Sequence, residues 1–316
     1  MKKGVLLINL GTPASPTPTA VREYLKRFLS DPRVIDMPAW KWKPILNTMI
    51  LPHRPAKSAE LYRQIWSKEN GSPLLYYTQQ QAQQLQELLP EHEVRFAMSY
   101  SHPLIATELE RFDQNQITDL TIIPMYPQYS TTTVGSVVDD INRFYLERIK
   151  IPNLRVITDF CDFKPYIKAL AAKIKAEIAN FKPDQILFSY HGIPQSYVTK
   201  GDPYQERCET TTKLLRSELA TEILIQQTYQ SRFGPDEWLK PATDETLKQL
   251  PANGTKRVLV VAPSFVADCL ETLHELDVEN RDYFLTNGGE DFRLVPALNA
   301  DESFTQVLRQ LVLNLR

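Results

Sequence analysis

Several patterns that commonly announce a function are missing from this sequence. It has no HExxH, no GxSxG with triad partners, no GxGxxG after its first apolar run and no GxxxxGK[ST], which removes the usual support for a zinc protease, an esterase, a dinucleotide site or a P-loop. Cysteine is scarce: Cys161, Cys208 and Cys269 are odd in number and far apart, which argues against a disulfide framework or a CxxC zinc knuckle and fits a reducing compartment. No segment approaches the roughly 18 consecutive apolar residues of a membrane span. The N-terminal "MKKGVLLINLGTP" has an apolar run of only six residues and no small-residue cleavage site after it, so it reads as a first strand and the expected location is cytoplasmic. A net charge of -2 and a pI near 6.3 provide no field to gather phosphates, and no basic run is interleaved with aromatics, so nucleic acid is not an expected partner.

What is present is an α/β pattern. A chain of 316 residues, 42% hydrophobic and 23% charged, suits two compact α/β units or one large one. Short apolar, β-branched runs recur at 5–10, 94–100, 120–126, 154–160, 185–191, 222–229 and 257–263. Between them lie stretches with apolar residues at helical spacing, such as 19–29, 73–89 and 165–181. Continuous rather than alternating strands imply parallel sheets covered on both faces.

The two halves also echo one another. "LLINLGTP" (6–13) matches "LFSYHGIP" (187–194), with Leu10 in the place of His191, and "IIPMYPQYS" (122–130) matches "VVAPSFVAD" (260–268). Two such matches in the same order predict two similar α/β domains facing a cleft. The break "KIPNLR" (150–155) divides them into 1–150 and 151–300, with the last helix (301–316) returning to complete the first domain. Ligands of open parallel sheets bind beyond the carboxyl ends of the strands, and all four echoing turns fall there. His191 is therefore expected at the cleft wall, its glycine allowing a sharp turn and its proline ending the strand.

Each candidate also has a plainer reading. His191 could be a core histidine bonded to backbone; with a carboxylate nearby, an imidazole can bind a first-row metal or move protons near neutral pH. Asp268, Glu271, Glu275, Glu279 and Asp282, three or four apart, predict an acidic stripe on one side of a helix. Alone it would be a solvated face, but its first turn is expected near His191. The segment 37–77 is rich in Trp, Met, Pro and Tyr, is fringed by Lys41, Lys43, His53, Arg54 and Lys57, and contains prolines expected to break any long helix. It suits either core packing, through Leu61, Tyr62, Ile65 and Trp66, or a lip over a flat apolar ligand with carboxylates at its edge.

"LLINLGTP", "GSPL", "PMYPQYS", "SYHGIP", "QSRFG" and "ADCLETLHEL", in this order over nearly the whole chain, closely resemble the ferrochelatases, lyases that insert ferrous iron into a porphyrin at the end of protohaem synthesis. The resemblance implies a chelatase-like fold of two similar Rossmann-type domains whose parallel sheets flank a central cleft. It implies that His191 and Glu271 are the catalytic and metal-binding pair at the porphyrin, His191 accepting a pyrrole proton or binding Fe²⁺ and Glu271 acting as its carboxylate partner. It implies that Arg54, Tyr62 and Ser72 hold the porphyrin's propionates and edge, and that Leu10 and Tyr129 touch the ring. Glu275 and Glu279 become a candidate path for iron or protons.

The wording "LINLGTP" is closer to the protoporphyrin-using branch than to the Gram-positive, coproporphyrin-using branch, which tends to have tyrosine near Leu10. The expected substrates are thus protoporphyrin IX and Fe²⁺, with no resident cofactor. Three scattered cysteines argue against the intrachain [2Fe-2S] cluster of some relatives. Ser264 stands where relatives usually have glycine, and Cys269, where several have histidine, reads as a small buried apolar side chain. The rivals are a coproporphyrin or other tetrapyrrole chelatase and a non-catalytic tetrapyrrole carrier; peripheral membrane contact stays open because substrate and product are apolar.

Overall fold

The computed structural model describes residues 1–313. Its strands are β1 (Lys3–Asn9), β2 (His92–Met98), β3 (Asp119–Pro124), β4 (Asn153–Val156), β5 (Gln185–His191), β6 (Leu224–Gln230), β7 (Arg257–Val261) and β8 (Asp291–Leu294). Its α-helices are α1 (Pro18–Phe28), α2 (Ala39–Ile45), α3 (Leu51–Ile65), α4 (Pro73–Leu88), α5 (Ile105–Gln114), α6 (Ser136–Leu146), α7 (Lys164–Phe181), α8 (Gln195–Thr199), α9 (Tyr204–Leu219), α10 (Thr243–Gln249), α11 (Arg281–Thr286) and α12 (Glu302–Leu313). Wider π-helical turns occupy Leu46–Ile50, Thr131–Gly135 and Glu271–Asn280. No helix among the described residues is long and apolar enough to cross a membrane. The chain divides into two compact units, one of Met1–Thr158 with the segment from Ala300 onward, the other of Asp159–Asn299.

In the first unit the sheet order is β2-β1-β3-β4, all parallel. Val5 to Ile8 are fully buried, as a central parallel strand covered on both faces requires. Leu6, Ile8 and Ile122 pack with Leu109, Phe112 and Ile141 on one face. Because β4 pairs with β3, this unit extends past the "KIPNLR" break to Thr158. Helix α12 packs on α4, where Thr305 Oγ1 donates to Gln84 Oε1 at 2.6 Å. The Arg155 guanidinium takes the carbonyls of Leu311 and Val312, groups that a helix end otherwise leaves unpaired. The expected helix is described to Leu313; residues 314–316 lie outside the described residues.

The proline-rich segment departs from expectation, because helical structure runs on from Ala39 to Ile65 despite Pro44, Pro52 and Pro55. A proline inside a helix removes one N–H and crowds the carbonyl four residues earlier. Here the π-helical turn loosens the backbone and side chains add hydrogen bonds to its carbonyls. Asn47 Nδ2 donates to Lys43 O at 2.7 Å and Thr48 Oγ1 to Pro44 O at 2.8 Å. The carbonyl of Leu51, which the missing N–H of Pro55 would have bonded, accepts from Arg22 at 2.9 Å. Leu46, Leu51, Pro55, Ala59 and Tyr62 form the buried side, while Met37, Trp40 and Met49 stay exposed. The segment therefore packs into the core through one side and leaves apolar side chains exposed on the other.

The second unit repeats the scheme with a parallel sheet ordered β6-β5-β7-β8. Leu187, Val258 and Val260 pack with Leu276, Phe284 and Phe292. The first strand of each half thus lies between the second and third, and in each half a π-helical turn follows the third strand. The echoing turns sit at equivalent places, at the carboxyl ends of β1 and β3 and of β5 and β7, which is where such a sheet reverses its winding and leaves a crevice.

Candidate functional site

Strand β5 delivers His191 with its neighbours already committed. Ser189 is fully buried, its hydroxyl donating to Gln230 Oε1 at 2.8 Å and sharing a hydrogen bond with Thr243 Oγ1 at 2.8 Å. Tyr190, also fully buried, bonds Thr212 Oγ1 at 3.0 Å, and burial pushes its phenol well above the ordinary value. His191 is the last residue of the strand and is half-buried. Its Nδ1 lies 2.7 Å from the carbonyl of Gly192. A carbonyl only accepts, so Nδ1 carries a proton, and in the neutral form of the ring the lone pair lies at Nε2. The plainer reading, a histidine bonded to backbone, is thus true of one ring nitrogen and fixes the role of the other.

Gly192 is required, though not for the reason expected. Its backbone is not in the left-handed region; instead a Cβ there would come within 2.8 Å of Gln230 O and 3.2 Å of the Trp238 ring. Gly11, its counterpart after β1, does have a positive φ of 111°, and a Cβ there would meet Ser101 Oγ at 2.8 Å. The same letter in the two echoing turns therefore answers two different constraints.

Glu271 follows β7 and opens the π-helical segment Glu271–Asn280. The predicted acidic stripe does not form. Asp268 precedes the helix and is buried, accepting from Asn299 Nδ2 at 2.6 Å, Thr272 Oγ1 at 3.0 Å and the Ala297 N–H at 3.3 Å. Asp282 lies beyond on α11, exposed. The spacing argument assumed one α-helix, whereas the chain is irregular at 268 and then wound i to i+5.

Glu275 reaches back toward β6. Its Oε1 accepts the N–H of Ser231 at 2.6 Å, and Oε2 accepts the Ser231 hydroxyl and, at 3.4 Å, Gln230 Nε2. Burial pushes this carboxyl above its ordinary value, with the Ser231 hydrogen bond and the charge of His191 opposing and the charge of Glu271 adding to the rise. His191, Glu271 and Glu275 thus share one electrostatic neighbourhood. Glu279 is exposed, with a carboxylate oxygen 3.5 Å from Nδ1 of His274. Cys269 is buried, and burial pushes its thiol well above the ordinary value, with the charge of Glu271 and a hydrogen bond to it adding to the rise. Ser264, on the turn after β7, accepts the His191 backbone N–H at 3.4 Å.

The remaining predicted residues belong to the first unit. Leu10 follows β1, its N–H bonded to Asn9 Oδ1 at 2.9 Å and its carbonyl accepting Tyr100 N–H at 3.0 Å. Tyr129 follows the adjacent β3. Arg54 is exposed on α3, whereas Tyr62 on the same helix is 8% exposed and packs edge-on to Trp66 at 6.4 Å. Ser72, 3% exposed, caps the start of α4 through its carbonyl, which accepts Tyr76 N–H at 3.0 Å.

The sequence reading did not single out Gln230, Ser231 or Trp238. The first two are in the quoted string "QSRFG", and a run of polar letters closing the apolar strand "ILIQQTYQ" was the available signal. For metal chemistry the useful donors are His191 Nε2 and the Glu271 and Glu275 carboxylates. Among the described residues these donors are not gathered within 4.8 Å of one another, so they do not form a closed cage of the kind that retains an ion. Asp159, Cys161 and Asp162 are gathered so, but Asp159 is engaged by the Cys161 N–H at 3.1 Å and lies 3.6 Å from Arg207.

Comparison with known proteins gives the family and the fold. A family model described as Ferrochelatase matches residues 2–315. A coproporphyrin III ferrochelatase from Enterococcus faecalis is 50% identical over 311 residues, covering 98% of this chain and 99% of that protein. A ferrochelatase from Yersinia enterocolitica is 44% identical over 313 residues, covering 98% and 97%. Among solved structures, SirB from Bacillus subtilis with Fe3+ matches with a TM-score of 0.59 at 10% identity, covering 100% of this chain and 97% of that one. CbiX, described as the terminal enzyme for biosynthesis of sirohaem in denitrifying bacteria, matches with 0.53 at 13% identity, covering 99% and 100%. At such low identity these structures show the fold alone, which is chelatase-like, with two Rossmann-type α/β units.

Proposed function

The chain belongs to the ferrochelatase family, and from that premise we propose that it inserts Fe²⁺ into protoporphyrin IX, with His191 and Glu271 acting at the ring centre. The observation that carries this reading is the commitment of His191 Nδ1–H to Gly192 O, which leaves Nε2 as a basic nitrogen in the same neighbourhood as two carboxylates.

Insertion breaks two pyrrole N–H bonds and forms four Fe–N bonds, so two protons must leave as the ion enters. A flat porphyrin cannot aim all four nitrogens at an approaching ion; bending it can, at a strain cost offset by burying its apolar faces at roughly 25 cal/mol per Å². His191 Nε2 accepts a pyrrole proton or holds Fe²⁺ in passing, and Glu271 supplies a hard anion for the ion or a partner for the imidazolium. Glu275 is the next acceptor for the proton, its raised affinity suiting that task, and Glu279 would mark the exposed end of the route. Leu10 and Tyr129 are assigned to the ring, and Arg54, Tyr62 and Ser72 to its propionates and edge. Iron is cargo here, which fits donors that do not close into a cage.

Coproporphyrin III is the second reading, favoured by the name of the Enterococcus relative and by the exposure of Lys41, Lys43, His53, Arg54 and Lys57, since that ring carries more carboxylates. Anaerobic insertion of Fe²⁺, followed by loss of free-porphyrin fluorescence, separates the two. A higher kcat/KM for protoporphyrin IX is expected; a higher value for coproporphyrin III replaces that substrate, and no insertion into either ends the proposal.

A further inference from the structure

We propose that Gln230 and Ser231 are positioning residues that hold His191 and Glu271 in a fixed relation, an inference that rests on the metal-insertion reading above. Gln230 is the last residue of β6, paired in register with His191, and is only 3% exposed. Its carbonyl and both polar atoms of its side-chain amide are spent on the site. Its carbonyl accepts the Gly192 N–H at 2.8 Å, gripping the residue whose carbonyl orients the imidazole. Its Oε1 accepts from Ser189, two residues before His191 on β5. Its Nε2 donates to the main-chain carbonyl of Glu271 at 3.0 Å and approaches Glu275 Oε2 at 3.4 Å. One side chain therefore ties the histidine strand to the first turn of the π-helical segment.

Ser231 completes the tie one turn further on. Its φ of 65° is a left-handed conformation that a non-glycine residue seldom adopts, and such backbone persists only where its surroundings enforce it. What enforces it is Glu275, which takes the Ser231 N–H on one carboxylate oxygen and the hydroxyl on the other. The pair thus anchors Glu271 by its backbone and Glu275 by its side chain, and both anchors originate at the strand end beside His191. Rate in such a site depends on ångström-scale placement, and loss of the residues that orient a metal-handling group commonly costs roughly 10–100-fold.

Gln230→Met keeps the length of the side chain and removes its donor and acceptor. Ser231→Gly removes the hydroxyl while relieving the backbone and keeping the N–H. Each is expected to lower kcat for Fe²⁺ insertion by roughly 10–100-fold with porphyrin KM and the binding of metal-free porphyrin changed less than about twofold, because the ring itself is not gripped by either residue. Amide exchange over 271–280 should accelerate in both variants, with β1 to β4 unchanged. Wild-type kcat in both, an equal loss in kcat and porphyrin affinity, or unchanged exchange over 271–280 would each overturn the proposal. If Gln230→Met does not fold, Ser231→Gly decides alone. The underlying reading fails separately, by wild-type protein that inserts no iron or by an active His191→Ala variant.

Discussion

His191 and Gly192 form a closed pair: the imidazole Nδ1–H is given to the carbonyl of the very next residue at 2.7 Å, while the Gly192 N–H is held by Gln230 O at 2.8 Å. The ring orientation is therefore written into the turn, and Nε2 is the nitrogen left without this bond.

Gly192→Ala tests that turn. The new Cβ would stand 2.8 Å from Gln230 O, a backbone atom that cannot move aside without breaking the hydrogen bond it makes to this residue. The expected cost is about 1–3 kcal/mol of stability, as for other overpacked interiors, together with a fall in insertion rate as His191 is displaced. Thermal unfolding and kcat measured on the same preparation check it; a wild-type melting point with wild-type kcat would show that the contact is not tight.

A second prediction concerns the first unit, where Arg33 binds Asp139 through two nitrogens and Thr131 Oγ1 at 2.8 Å, pinning the π-helical turn that follows Tyr129. The Arg33 hydrogen bond holds the Asp139 carboxyl below its ordinary value of 3.8. A depressed folded value means that the pair contributes stability above pH 3.8 and loses it as pH falls through the lowered value. Both side chains are 38% exposed, so the contribution is no more than about 1 kcal/mol. Asp139→Asn should melt lower than wild type at pH 7 and converge with it as pH falls below 3.8 and the wild-type carboxyl protonates. A gap that is constant with pH would assign the stability to packing.

The thiols give a third. Cys161, Cys208 and Cys269 are free and buried, and burial pushes each thiol above its ordinary value, which leaves almost no thiolate at neutral pH. Native protein should react with a thiol-specific reagent far more slowly than protein unfolded in denaturant. Rapid modification of Cys269 in the native state would mean that the helix entry beside Glu271 opens readily.

Much of this organisation was legible in the letters. The run 185–191 coincides with β5, and the echo between 6–13 and 187–194 reflects a real repeat, since β1 and β5 hold the same place in sheets of the same order. Strand β8 escaped notice because "DFRL" is four residues long with one fully buried position, too short to show a period. The acidic stripe misled because spacing arguments presuppose 3.6 residues per turn, and nothing in "ETLHELDVEN" distinguishes a π-helical winding from an α-helical one. The proline-rich segment misled for a related reason. Whether a proline breaks a helix depends on whether its orphaned carbonyl finds a donor, and Arg22, which supplies one to Leu51, lies far away in sequence. Gln230 was invisible as a site residue because its importance lies in four partners brought together only by the fold.

The account stands or falls on the imidazole at the end of β5. Anaerobic single-turnover insertion of Fe²⁺ into bound porphyrin, compared between wild type and His191→Ala, is the most direct measurement. The account predicts a loss of roughly 10²-fold or more in the insertion rate with porphyrin still bound, the scale expected when a positioned proton acceptor is removed. Insertion by His191→Ala at the wild-type rate would contradict it.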